Sequence, residues 1–108
     1  MKKIQSITEW HSIIDQSKNE PVFLLKHSST CSISAAGYRA FEGFDTDIPK
    51  YYLVVQTNRP LSSEVASGLG IRHESPQLFL LKDGKAVWHA SHYSISQSKI
   101  KSAVEAFG

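Results

Sequence analysis

Val22-Phe23-Leu24-Leu25 constrains this chain more than any other segment: four consecutive apolar residues between Pro21 and the polar, turn-like stretch Lys26–Thr30. A continuous apolar run this short is the pattern of a strand covered on both faces, as in parallel sheets flanked by helices. A second such run, Tyr51-Tyr52-Leu53-Val54-Val55, follows Pro49. Between them a helix beginning around Cys31 would set Ala36, Ala40, Phe41 and Phe44 on its inner face. Strand, helix, strand in that order implies a crossover unit with parallel neighbours.

The flanking segments complete the pattern. Ser6-x-x-Glu9 is a capping box, and Ile7, Trp10, Ile13 and Ile14 follow it on one helical face. Leu61, Val65 and Leu69 predict a third helix that stops at Gly70. Pro76 opens a strand at Leu78–Leu81, and Asp83-Gly84 is the strongest hairpin signal in the chain. The return strand, Lys85–Ser91, gets its bulk from Val87 and Trp88. A last helix has Ser96 as N-cap, Ile95 stapled onto Ile100, and a stripe of Ile100, Ala103, Val104 and Phe107. Gly37 inside the second helix costs roughly 1 kcal/mol against Ala, which points to close packing or a bend. The order is α-β-α-β-α-β-β-α. It predicts one α/β domain over residues 1–108, with a mixed four-stranded sheet and helices on both faces. A further opening strand at Lys3–Gln5 gains no support from its length.

Several function classes drop out. The formal charge is only +2 and no Lys/Arg block exists, so nucleic acid is not an expected partner. No run approaches the about 18 apolar residues of a membrane span, so no membrane role is expected. Met1–Gln5 has a basic start with no apolar segment behind it, unlike a signal peptide. A single cysteine makes no internal disulfide, and the cytoplasm is the expected compartment. His27-x-x-x-Cys31 and His89-x-x-His92 supply too few ligands for a structural zinc site, and His11 and His89 belong on solvated or half-buried faces.

Cys31 follows the first buried strand at the head of the next helix, where open α/β sheets hold their ligand groups. Unpaired N–H groups and the positive end of the helix favour thiolate over thiol there. Lys26 and His27 would add positive potential if they point inward. Buried and inert is the commoner fate of a free cysteine. The polar neighbours Ser28, Ser29, Thr30, Ser32 and Ser34 argue against it here. Ser34 stands where a dithiol oxidoreductase has its second sulfur; as a plain first-turn serine it would instead satisfy a nearby N–H. Thr30 and Ser32 are equal candidates for the N-cap. A phosphatase or arsenate-reductase loop fails on spacing, because Arg39 lies too far beyond Cys31.

Lys26-His27-Ser28, Thr30-Cys31-Ser32-Ile33-Ser34, Tyr51–Gln56, Arg59-Pro60-Leu61-Ser62 and His73-Glu74-Ser75-Pro76-Gln77 appear in this order across nearly the whole chain. Together with the Trp88 strand and Ser91-His92, they resemble the monothiol bacilliredoxin family. The resemblance implies a thioredoxin-like fold with strand order 2-1-3-4 and the third strand antiparallel. It also implies removal of bacillithiol from S-bacillithiolated client proteins, with bacillithiol as co-substrate and no tightly bound cofactor. Carried over, Cys31 is the nucleophile, Ser34 replaces the resolving cysteine, and Pro76 is a cis-proline facing Cys31. Thr30, Ser32, His73, Ser75 and Pro76 become the substrate-binding residues, with the Ser75 backbone free to pair with an extended substrate. His73 and Arg72, ahead of the proline loop, would meet a carboxylate of the small thiol. The family usually has proline where this chain has Ser32, which restores an N–H beside the sulfur. Two other readings compete: an iron–sulfur module sharing a cluster between protomers, and a protein-binding module in which Cys31 is dispensable.

Overall fold

Residues Val22–His27 form the central strand, and their alternation decides the layers. Val22 and Leu24 pack into a cluster with Trp10, Ile13, Leu61 and Val65 on one face of the sheet. Phe23 and Leu25 pack with Phe41, Ile95, Ile100 and Ala103 on the other. Both faces are therefore covered by helices, as a continuous apolar strand requires.

The computed structural model describes residues 1–108. The elements are β1 (Lys2–Lys3), α1 (Ile7–Ser17), β2 (Val22–His27), α2 (Ser32–Glu42), β3 (Lys50–Val54), α3 (Arg59–Leu69), β4 (Gln77–Lys82), β5 (Lys85–Ser91) and α4 (Gln97–Phe107). Short 3₁₀ turns cover Val55–Thr57 and His92–Ser94. The sheet order is β1-β3-β2-β4-β5. β2 runs parallel to β3 and antiparallel to β4, and β5 runs antiparallel to β4. Without β1 this is the expected 2-1-3-4 arrangement, and its third strand is the reversed one.

The sheet has five strands, not four. Lys2 and Lys3 align with Tyr51 and Tyr52 on the β3 edge, and Ile4 N–H donates to Tyr52 O at 2.8 Å. Two residues are too few to carry a period, so β1 is made by pairing alone.

Local signals fix most of the boundaries. The Ser6 Oγ accepts from Glu9 N–H at 3.1 Å, and Glu9 Oε1 accepts in turn from Gln5 N–H at 2.8 Å. Ile7, expected on the inner face of α1, is 40% exposed; Trp10 and Ile13 carry the burial. Asn58 caps α3 two residues earlier than the apolar spacing suggests, and Gly70 ends it in the left-handed region. Asp83 and Gly84 both have positive φ (54° and 75°), the geometry of a two-residue hairpin turn. Ser17 anchors that turn, its carbonyl accepting from Asp83 N–H and its hydroxyl from Gly84 N–H. Ser96 caps α4 by accepting from Lys99 N–H at 3.3 Å, while Ile95 and Ile100 are both buried. Ala36 faces solvent. Ser34, Gly37 and Phe41 make the buried face of α2, and Gly37 packs against Ile95. Phe107 ends the α4 stripe 41% exposed. No helix is long and apolar enough to cross a membrane.

Candidate active site

β2 does not stop at Leu25. It continues through Lys26 and His27, paired with Leu53 and Val54 on β3. Ser28–Thr30 then turn the chain into α2, and Cys31 itself is the N-cap, with extended backbone (φ −106°, ψ 127°). Neither Thr30 nor Ser32 holds that position: Thr30 is exposed in the turn and Ser32 is the first helical residue. Because the side chain at an N-cap lies among the orphan N–H groups of the first turn, the sulfur takes the place usually held by a capping oxygen.

Cys31 is half-exposed and free. Its thiol pKa lies below the ordinary value of 9.0, chiefly through the Ser34 N–H, then the Ile33 N–H, with a smaller contribution from the Ser34 hydroxyl. Slight burial opposes this. Lys26 and His27 are engaged with other partners. Lys26 is 0% exposed and turns to the α3 side, where its Nζ donates to Ser62 O at 3.0 Å. Burial pushes its pKa down to about 8. His27 packs its ring on Tyr38 (centroids 4.8 Å apart), and burial holds its pKa below the usual histidine value despite the Ser34 backbone. The N–H groups of the helix start are the main cause of the lowered thiol pKa.

We expect the alkylation rate of Cys31, followed across a pH series, to rise through a midpoint below 9.0. Thiolate is the reacting form, so lowering its pKa moves the whole profile to lower pH. A midpoint at or above that of a free thiol would remove the role assigned to the Ser34 and Ile33 N–H groups.

Ser34 sits in the first turn of α2, buried, and its Oγ makes no hydrogen bond of regular geometry. Ser75 joins Pro76 through a cis peptide bond, and the Ser75 hydroxyl is likewise buried and unpartnered. His27 Nδ1 is the third such atom. All three belong to the end of β2, the start of α2 and the proline loop. Orphaned buried polar atoms on these neighbouring segments are groups with which an incoming molecule could form hydrogen bonds.

The proline loop reaches the same end of the sheet through β4. Gln77, immediately after Pro76, aligns with Lys26, and Pro76 O accepts from His92 N–H at 3.1 Å. His73 is engaged elsewhere: its Nδ1 lies 3.1 Å from Lys26 Nζ and 3.2 Å from Ser62 Oγ. It belongs to the α3 side of the proline loop.

Gln56, in the turn after β3, was not among the expected site residues. Its Nε2 donates to Ser28 Oγ at 2.7 Å and Thr30 Oγ1 at 2.9 Å, and its Oε1 accepts from Ser29 N–H at 3.2 Å. One side chain thus ties down all three residues before Cys31. Its partners lie 26 to 28 positions away in sequence, so no local pattern could have identified it. Lys26 was also missed as a buried group, because a lysine after an apolar run reads as the strand's end.

Comparison with known proteins agrees with this geometry. A solved protein with a thioredoxin fold, provisionally assigned as an oxidoreductase, is 40% identical with a TM-score of 0.88, over 95% of this chain and 92% of that one. Thioredoxin from Fasciola hepatica superposes over the full length of both chains at TM-score 0.81 and 14% identity. A thioredoxin variant from Halobacterium salinarum gives 0.78 at 22% identity, over 98% of this chain and 88% of that one. At these identities the two thioredoxins speak for the fold alone. The monothiol bacilliredoxin model matches residues 2–100, the span that holds the capped thiol, the Gln56 brace and the cis-proline loop, and the chain belongs to that family.

Proposed function

We propose that this protein removes bacillithiol from S-bacillithiolated client proteins by thiol–disulfide exchange at Cys31, in the cytoplasm. The observation that carries the reading is the lone, half-exposed thiol at the N-cap of α2, made acidic by the first-turn N–H groups. Family membership supports a redox enzyme of the thioredoxin type.

The Cys31 thiolate attacks the bacillithiol sulfur of the mixed disulfide. The bond between client and bacillithiol breaks, and the client leaves as a thiolate that takes a proton from water. Cys31 now carries bacillithiol in disulfide linkage. A second bacillithiol, as thiolate, attacks the bound bacillithiol sulfur, releasing Cys31 thiolate and bacillithiol disulfide. One disulfide is exchanged for another: the client sulfur returns to the thiol, and the second bacillithiol is the one oxidised as bacillithiol disulfide forms. With one thiol in the chain, the second step depends on a thiol from solution.

In this scheme Ser34 Oγ is a free donor beside the exchanging sulfurs, and the Ser75 hydroxyl a second one in the proline loop. Thr30 and Ser32 flank the thiol on its exposed side. Mixing the protein with a bacillithiolated client and reading both intact masses tests the scheme. The adduct mass should leave the client and appear on Cys31 within the same time course. A client that keeps its adduct while this protein stays unmodified would overturn the reading.

A further inference from the structure

Three basic side chains converge on the α3 side of the proline loop, with no carboxylate in ion-pair contact with any of them. Arg59, Ser62, Ser63, His73 and Val55 line an open cavity of about 180 Å³. Behind it lies the fully buried Lys26, whose Nζ contacts Ser62 O and His73 Nδ1. The single ion pair in the molecule is Lys18 with Asp15, so no carboxylate oxygen lies within 4.0 Å of Arg59, Lys26 or His73. Arg59 and His73 are exposed, and Lys26 alone is out of water; a charge there without a counter-ion costs several kcal/mol in general.

The hydrogen bonding also fixes what the cavity presents. A lysine ammonium only donates, so His73 Nδ1 is the acceptor and the ring carries its proton on Nε2. Neither His73 Nε2 nor the Arg59 guanidinium has a protein partner. The cavity therefore presents the His73 Nε2–H and the Arg59 guanidinium as free donors. Burial first, then the Lys26 and Arg59 charges, hold His73 below the ordinary histidine pKa, and Glu74 opposes them weakly.

We propose that Arg59 and His73, backed by Lys26, form an anion subsite that takes a carboxylate of the small thiol during exchange. This rests on the exchange reading above. His73 stands two residues before Ser75, and Lys26 is aligned with Gln77 next to Pro76, so the subsite adjoins the loop assigned to substrate. A thiol anchored there by its acid end has its sulfur delivered to the same end of the sheet as Cys31. Arg59 then acts as a positioning residue, holding the small thiol and not touching the sulfurs.

Two measurements test it. Succinate titrated into the Cys31→Ser protein, followed by NMR of the histidine rings, should shift His73 saturably and leave His11 and His89 in place. Inorganic phosphate at equal concentration should displace it poorly. No localised shift at His73, or tighter binding of phosphate than of succinate, would overturn the carboxylate assignment. The second measurement compares Cys31 reacting with the disulfides of mercaptosuccinate and of mercaptoethanol. The preference for the charged disulfide should fall about tenfold in Arg59→Gln, as expected for loss of a charge-assisted contact. The distant control Lys85→Gln should keep it. An equal fall in both variants would show only a general field and overturn the site. A wild-type thiol inert to both disulfides would instead refute the exchange reading, while the succinate titration still reports on the cavity.

Discussion

Replacing Cys31 with Ser should abolish transfer of bacillithiol from client to protein, and at the same time leave the fold intact or slightly more stable. The first half follows from composition: no second sulfur able to form a disulfide exists in the chain. A serine hydroxyl is not ionised at neutral pH and forms no disulfide, so exchange should fall to the rate of the uncatalysed reaction. The second half follows from position. Cys31 is an N-cap whose side chain makes no regular capping hydrogen bond. Serine is a preferred N-cap, and its oxygen can accept from the first-turn N–H groups that now face the sulfur. A gain of roughly 0.5–1 kcal/mol is the expected scale, seen as a rise of a few degrees in Tm. Loss of activity with a raised or unchanged transition would show that the thiol is there for chemistry and not for packing. Retained transfer in the variant would place the nucleophile outside this residue.

The same N-cap shows how far the sequence could be read. The location of the site was legible, because a polar turn after a buried strand and before a helix is where an α/β sheet holds reactive groups. The capping residue was not. Serine and threonine outrank cysteine at that position in any propensity argument, so Thr30 and Ser32 were preferred to the residue that fills it. Where the determinant is local, as at Ser6, Asp83-Gly84 and Ser96, the reading and the structure coincide. Where it is a pairing across the chain, the reading fell short. β1 exists only because Lys2 and Lys3 meet the β3 edge. Lys26 stays in β2 because its neighbours Leu53 and Gln77 extend the ladder and Ser62 O receives its ammonium. Ala36 shows the opposite error: an apolar residue assigned to the inside, although alanine loses little by facing water.

The cis bond at Ser75–Pro76 came from the family resemblance and not from the residues themselves, since only about 5–6% of X–Pro bonds are cis. The structure adds what the resemblance did not supply: the Gln56 brace and the engagement of Lys26 with Ser62 and His73.

Ser34→Cys should convert the protein from an exchanger that keeps its adduct into one that ejects it. Ser34 lies three residues after Cys31, buried in the same first turn, and its hydroxyl is close enough to contribute to lowering the Cys31 pKa. Because the Ser34 Oγ has no regular hydrogen-bond partner, replacing it with sulfur strips no bond from the fold. A thiol at that position is tethered beside any mixed disulfide on Cys31. Well-oriented intramolecular groups reach effective molarities of about 10⁵ M, far beyond any small thiol in solution. The second sulfur should therefore attack Cys31, expel bacillithiol and close an internal disulfide, shortening the adduct's lifetime at least about 100-fold. In the parent, resolution should follow the concentration of added thiol; in the variant it should not. After treatment with oxidised bacillithiol, intact mass distinguishes the two: one added bacillithiol on the parent, and the loss of two hydrogens from the variant. If the variant holds its adduct as long as the parent does, the two side chains diverge, and Ser34 does not occupy the place of a resolving cysteine.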